Sequence, residues 1–235
     1  EKGAYDVFNL LNISYEIKMI LKRIRVHAGG QGLLTNSYIV YDEEKKEAMV
    51  IDPGGEPEKI IEVLDILGIE KIKYIFLTHC HADHTGGISE LKKVKGGKIL
   101  ISRDDAEGLY NESISLAYYI KVSNPELEAD SRIDDGDLIH VGNLEFKVIA
   151  TPGHTKGGVS LYCEKERLVF TGDTMFSGTW GRTDLPTGNF EELMNSITNK
   201  LMTLPDETIC YPGHGKTTMI EDEKNIYLDL KEKDF

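Results

Sequence analysis

Apolar positions along this chain repeat with two different periods, and the two periods take turns. Met19-Ile20-Leu21-Lys22-Arg23-Ile24-Arg25-Val26 alternates apolar and basic residues and predicts a half-exposed strand. Ser37–Tyr41 and Ala48–Ile51 predict two more strands around a charged turn, and Asp52-Pro53-Gly54-Gly55 ends the second sharply. From Glu56 onward, Ile60, Ile61, Val63, Leu64 and Leu67 recur at helical spacing, and Gly68 supplies a stop. Lys73–Leu77 reads as a buried strand, Ile88–Val94 as a short helix and Lys98–Ile101 as a strand. Asp104-Asp105-Ala106-Glu107 reads as a helix start, with acidic side chains near the positive end of the dipole.

Residues 108–132 have no clean period; an irregular, helix-containing lid and a plain connection both fit them. Strand signals return at Leu138–Val141 and Leu144–Ile149 around Gly142-Asn143, then in a hairpin of Val159–Cys163 and Arg167–Phe170. Phe190, Leu193, Met194, Ile197 and Leu201 mark one helical face. Thr208–Tyr211 reads as the last strand, before a polar helix from Glu221. Helices follow strands in each half of the chain, which predicts an α/β fold of two half-sheets packed face to face with helices outside. Residues 1–18 match neither period and are set apart as an N-terminal extension; the domain is expected to span 19–235.

The chemistry gathers just past the strands. Thr78-His79-Cys80-His81-Ala82-Asp83-His84 follows a buried strand directly. His79 and His81, two residues apart, can close on one metal from the same side. Asp83 and His84 are adjacent, so their side chains diverge, which favours a second metal beside the first or a base beside a single metal. His154 follows Pro152-Gly153, His214 follows Pro212-Gly213, and Asp173 follows Gly172. In a layered α/β fold, residues past strand ends collect at one edge, where sites form. Of the seven histidines only His27 and His140 fall outside this set, and both alternate into strands as structural or surface residues. Cys80, between diverging ligands, reads as a packing residue.

These residues, in this order, resemble the metallo-β-lactamase superfamily: Asp52, then His79-x-His81-x-Asp83-His84, His154, Asp173 and His214 match its successive motifs over roughly residues 19–220. The resemblance implies the αββα sandwich of two packed mixed sheets with outer helices. It implies two divalent transition-metal ions, one on His79, His81 and His154, the other on Asp83, His84 and His214, with Asp173 bridging. By the same resemblance Asp52 orients the ligands. Zn is the first expectation, and Fe or Mn also suits nitrogen and carboxylate ligands without thiolate. A metal-bound hydroxide would then be the nucleophile, and Asp83 a catalytic base where only one metal is held.

Gly172-Asp173-Thr174-Met175-Phe176 and Gly181–Gly188 are most similar to short glyoxalase II-like hydrolases. That implies hydrolysis of a small thioester such as an S-hydroxyacyl thiol conjugate. Arg182 falls where glyoxalase II has a glutathione-holding lysine and is a candidate substrate-binding residue; a structural ion pair with Asp184 is its other reading. Asp184 itself replaces a tyrosine that contacts glutathione there. The alternative is a mononuclear iron persulfide dioxygenase, using His79, His154 and Asp173, a group that shares the Gly-Arg-Thr-Asp segment. A partner-binding module without activity fits poorly, since every ligand is retained.

Composition narrows the partners. The formal net charge of −13 argues against a general nucleic-acid binder, which needs a basic face, yet leaves room for an anionic small molecule beside a local cation. Cys80, Cys163 and Cys210 make no disulfide framework, and no secretory signal is visible in the N-terminal residues, so a cytoplasmic location is expected. No apolar run spans a bilayer, so no membrane partner is expected.

Overall fold

The computed structural model describes residues 19–29 and 33–231, apart from the side chains of 228–231. The expected extension 1–18 lies outside the described residues. The first sheet opens with an antiparallel meander of β1 (Met19–Ala28), β2 (Leu33–Asp42) and β3 (Glu47–Ile51). The chain then crosses over through α1 (Pro57–Ile66) to β4 (Tyr74–Phe76), which runs parallel to β3. Parallel neighbours need such a crossover. Pro57 opens α1, where a missing N–H has no partner to lose. Next come α2 (Ala82–Thr85), α3 (Ile88–Lys95), β5 (Lys98–Ser102), α4 (Glu112–Ser115), α5 (Ala117–Ile120) and β6 (Ser131–Ile133), with β5 and β6 extending the parallel edge.

The second sheet comprises β7 (Leu138–Val141), β8 (Leu144–Ala150), β9 (Val159–Cys163) and β10 (Leu168–Gly172) in antiparallel succession. A small ribbon of β11 (Met175–Phe176) and β12 (Thr179–Trp180) follows, then α6 (Phe190–Asn199). Strand β13 (Ile209–Pro212) returns parallel to β10, β14 (Thr218–Met219) pairs with it, and α7 (Ile220–Lys231) closes the described chain.

Period-two alternation sorts the side chains into layers. Tyr38, Val40, Met49, Ile51, Leu161 and Phe170 point between the sheets and form one buried cluster. Their neighbours Ile39, Val50, Ile75 and Ile99 face the other way, onto Ile60 and Leu64 of α1 and Leu91 of α3. On the far side, Tyr162, Val169 and Cys210 pack on Leu193 and Ile197 of α6 and Tyr227 of α7. The order helix, sheet, sheet, helix is the αββα sandwich that the resemblance implied. Among the described residues no helix is long and apolar enough to cross a membrane.

Two local readings need correction. Asp104–Glu107 does not start an α-helix: Ala106–Leu109 is a single 3-10 turn without a side-chain cap, because the Asp105 carboxylate turns inward to bond elsewhere. Thr208–Tyr211 does not hold the last strand, since β14 adds to it; two residues are too few to display a period of two.

Phe170 anchors the layer between the sheets. It is fully buried, and its ring centroid lies 5.1 Å from that of Tyr38. Phe170→Ala is expected to lower unfolding free energy by about 3–5 kcal/mol, measured by chemical denaturation at fixed metal content.

Candidate metal centre

The candidate residues lie where β3, β4, β8, β10 and β13 end and β2 begins. Asp52 leaves β3 in the left-handed region, φ 49°, a conformation that a non-glycine residue holds only under tertiary constraint. Its carboxylate accepts from the Thr78 N–H at 2.8 Å and the Thr78 hydroxyl at 2.7 Å, and pairs with His84 Nδ1 at 2.9 Å. His154 Nδ1 donates to the Arg182 carbonyl at 2.7 Å, and His214 Nδ1 donates to the Leu34 carbonyl at 2.7 Å. In each case the bond on one ring nitrogen turns the Nε2 of the same ring toward the centre, as metal-ligating imidazoles require.

All seven residues singled out in the sequence come together there. His79, His81 and His154 form one group with ligand atoms within 4.8 Å of one another, and Asp83, His84 and His214 form another. Asp173 stands between the groups: its carboxylate lies 3.6 Å from His154 Nε2, 3.3 Å from His84 Nε2 and 3.2 Å from His214 Nε2. His79 Nε2, His81 Nε2 and Asp173 Oδ1 are buried without a hydrogen-bond partner. Native proteins rarely strand buried polar atoms. Two of them, on His79 and Asp173, belong to residues that share one group with His84 whose nitrogen and carboxylate ligand atoms lie within 4.8 Å of one another, a donor set that fits a divalent cation. His27 and His140 lie outside this centre and are exposed.

The electrostatics divide the cluster. Burial, reinforced by the neighbouring imidazoles, drives His79 well below its ordinary pKa and His81 to about 3, so both are neutral donors. Burial also disfavours a charged His84, but Asp173, Asp83 and Asp52 outweigh it and raise the group to about 10. His214 rises to about 11 in the same way, through Asp173 and Asp83. Burial opposes ionisation of Asp83 and Asp173 too, yet His84 and His214 hold both carboxyls below the usual range.

Several supporting residues escaped the sequence reading. Asp105 accepts from the Cys80 N–H at 3.1 Å, the Thr155 hydroxyl at 2.7 Å and the Gly157 N–H at 2.7 Å. One buried carboxylate thus ties the His79–His81 loop to the loop after His154. Asn36 holds the fourth loop, its side chain donating to the carbonyls of Pro212 at 2.9 Å and Gly215 at 3.0 Å. Gly213 is needed for closeness: a Cβ there would meet Asp173 Oδ1 at 2.3 Å and His84 Cε1 at 2.5 Å. Cys80 is buried, as expected of a packing residue.

A cavity of about 780 Å³ opens onto the centre at His81, Asp83, His154, Asp173 and His214. Its outer wall includes Leu33, Leu116, Tyr119, Ile120, Phe176, Trp180 and Leu185. Part of the 108–132 segment therefore reaches the site through Leu116 and α5. Arg182 also lines the cavity, and its Nε and Nη2 each donate to Asp184 at 2.8 Å. That pairing holds the Asp184 carboxyl down to about 2.

Residues 30–214 match the family described as the metallo-beta-lactamase superfamily. The chain belongs to this superfamily. Hydroxyacylglutathione hydrolase GloC of Haemophilus influenzae is 34% identical, over 83% of this chain and 93% of its own length. Persulfide dioxygenase ETHE1 of Bos taurus is 33% identical, over 82% and 70%. Among solved structures, TTHA1623 in a di-iron-bound form superposes with a TM-score of 0.74 at 31% identity, covering 85% of this chain and 96% of that one.

Two outcomes follow from the geometry. Asp173→Ala is expected to lower metal stoichiometry in elemental analysis of reconstituted protein, with His140→Ala binding as the parent does; Asp52→Ala should weaken metal affinity about 10- to 100-fold. Because His84 and His214 carry protons at neutral pH in the metal-free protein, with values of about 10 and 11, ligation must expel them. Metal titration by calorimetry in buffers of differing ionisation heat should record proton release at pH 7, with apparent affinity rising as pH rises.

Proposed function

We propose that this superfamily member is a metal-dependent hydrolase of small thioesters, with S-hydroxyacyl thiol conjugates as its substrates. The observation that carries this reading is the double cluster: two three-residue groups share Asp173 at the floor of one cavity. His79, His81 and His154 would hold one ion and Asp83, His84 and His214 the other. The donor set favours Zn, with Fe and Mn also compatible. When bound, such ions polarise a carbonyl and lower the pKa of water to roughly 7.

The chain's own groups do the rest. His154 and His214 are locked by backbone carbonyls, so neither ring swings as a substrate enters. Asp83 faces the cavity and would hold the second ion with His84 and His214; where only one ion is held, its carboxylate is free to accept a proton. A thiolate leaves without help, so the scarcity of strong acids along the cavity wall suits a thioester better than an amide or ester. The similarity to hydroxyacylglutathione hydrolase supports the same class.

The similarity to persulfide dioxygenase supports a second reading, with one iron on His79, His154 and Asp173 and a thiol persulfide oxidised at the expense of oxygen. The convergence of His84 and His214 on Asp173, with Asp83 beside both rings, ranks hydrolysis first. Zn- and Fe-loaded protein should be assayed for thiol release from S-lactoyl conjugates, glutathione's included, and for oxygen uptake with glutathione persulfide. Thiol release is expected. Oxygen uptake by the iron form alone, with no thioester cleaved by either form, would reverse the ranking.

A further inference from the structure

We propose that the cavity selects thioesters whose thiol arm is uncharged and apolar, and that the Arg182–Asp184 pair disfavours carriers bearing carboxylates. The assignment rests on the thioester reading above and concerns which thiol is released. Beyond the five cluster residues, the described wall is largely apolar: Leu33, Tyr119, Ile120, Phe176, Trp180 and Leu185 give it its character. Arg182 is the one cationic side chain outside the cluster among the described lining residues. One edge of its guanidinium, Nε and Nη2, is engaged by Asp184, at 2.8 Å each, so the pair is electrically neutral.

The pair is exposed, at 63% and 70%, so its strength is modest. Its neutrality decides the matter. A substrate carboxylate docking on Arg182 meets Asp184 already there, and three groups would then carry a net negative charge. The chain's formal charge of −13 adds to that repulsion. An uncharged arm meets no such penalty and removes apolar wall from water. The aromatic part of the wall is held from behind: Trp180 packs on Phe190 and Tyr227, with ring centroids 6.2 and 6.1 Å away, and the Tyr227 hydroxyl donates to the Thr179 carbonyl at 2.6 Å. A cavity of about 780 Å³ is of the size that takes a small organic ligand.

Trp180 is the chain's single tryptophan, so its fluorescence reports occupancy directly. Two thioethers that cannot be hydrolysed serve as ligands for Zn-loaded protein: benzyl 2-hydroxypropyl sulfide and S-(2-hydroxypropyl)glutathione. The benzyl compound is expected to bind about tenfold tighter or more. Asp184→Asn, and Asp184→Ala as a second variant, should narrow that gap by strengthening the glutathione compound about tenfold. Equal or tighter binding of the glutathione compound by the parent protein overturns the apolar assignment, as does absence of benzyl binding. Unchanged glutathione affinity in both variants overturns the role of the ion pair.

Thiol release from the matching S-lactoyl thioesters separates the two levels of the reading. Preferential benzyl binding with cleavage of neither thioester refutes thioester hydrolysis and upholds the cavity's selectivity. Faster turnover of the glutathione thioester, as kcat/KM, upholds hydrolysis and refutes the selectivity.

Discussion

Two buried carboxylates facing one buried and one half-buried imidazole set the terms for the rest of this molecule. Asp173 lies 3.3 Å from His84 and 3.2 Å from His214, and Asp83 lies 3.6 Å and 3.2 Å from the same rings. Removing a charge from water costs several kcal/mol, and loss of one partner of a buried pair leaves the other uncompensated. In the metal-free protein the protons on His84 and His214 compensate the carboxylates. Divalent cations can take over that duty and release the protons, while the neutral His79 and His81 offer their lone pairs unchanged. The same positions thus suit both the protonated cluster and a metal site, as long as the contributing loops are held in place.

Holding those loops is the task of polar side chains that ligate nothing. Asp52 reaches from β3 to Thr78 and His84, Asp105 from the end of β5 to Cys80, Thr155 and Gly157, and Asn36 from β2 to the Pro212–Gly215 turn. Each satisfies donors or acceptors that would otherwise be buried without partners. Tyr38 combines this with packing: its hydroxyl donates to the Pro212 carbonyl at 2.6 Å while its ring lies against Phe170 between the sheets. Core packing and site geometry are therefore coupled through the strand ends.

The floor and the wall of the cavity carry different chemistry. The floor is the cluster of imidazoles and carboxylates on which hydrolysis and oxygen chemistry alike can be built. Selectivity for what sits on that floor belongs to the wall, which the 108–132 segment, the β11–β12 ribbon and the Gly181–Pro186 loop assemble. Its apolar surface and its neutral ion pair are independent of the ligand set.

The periods of two and 3.6 located the longer strands and helices from sequence, because burial on one face writes itself into local spacing, whereas the short β6, β11, β12, β14, α2, α4 and α5 show no period. The seven ligand candidates were legible for a related reason: histidine and aspartate just past apolar runs, beside Gly or Thr, have few other uses. Only the tertiary structure gave Asp105 its place. In sequence it resembled a helix start, and its partners lie 25, 50 and 52 residues away, a separation that no local pattern records. Asn36, Tyr38 and the β14 strand were hidden likewise, the first two by distance and the last by its length of two residues. The pairing of Arg182 with Asp184 was one of two readings at the level of sequence. Its placement on an apolar wall came from the meeting of Leu33, residues 116–120 and residues 176–186, remote from one another along the chain, since a cavity's character is a property of surfaces and not of neighbours in a chain.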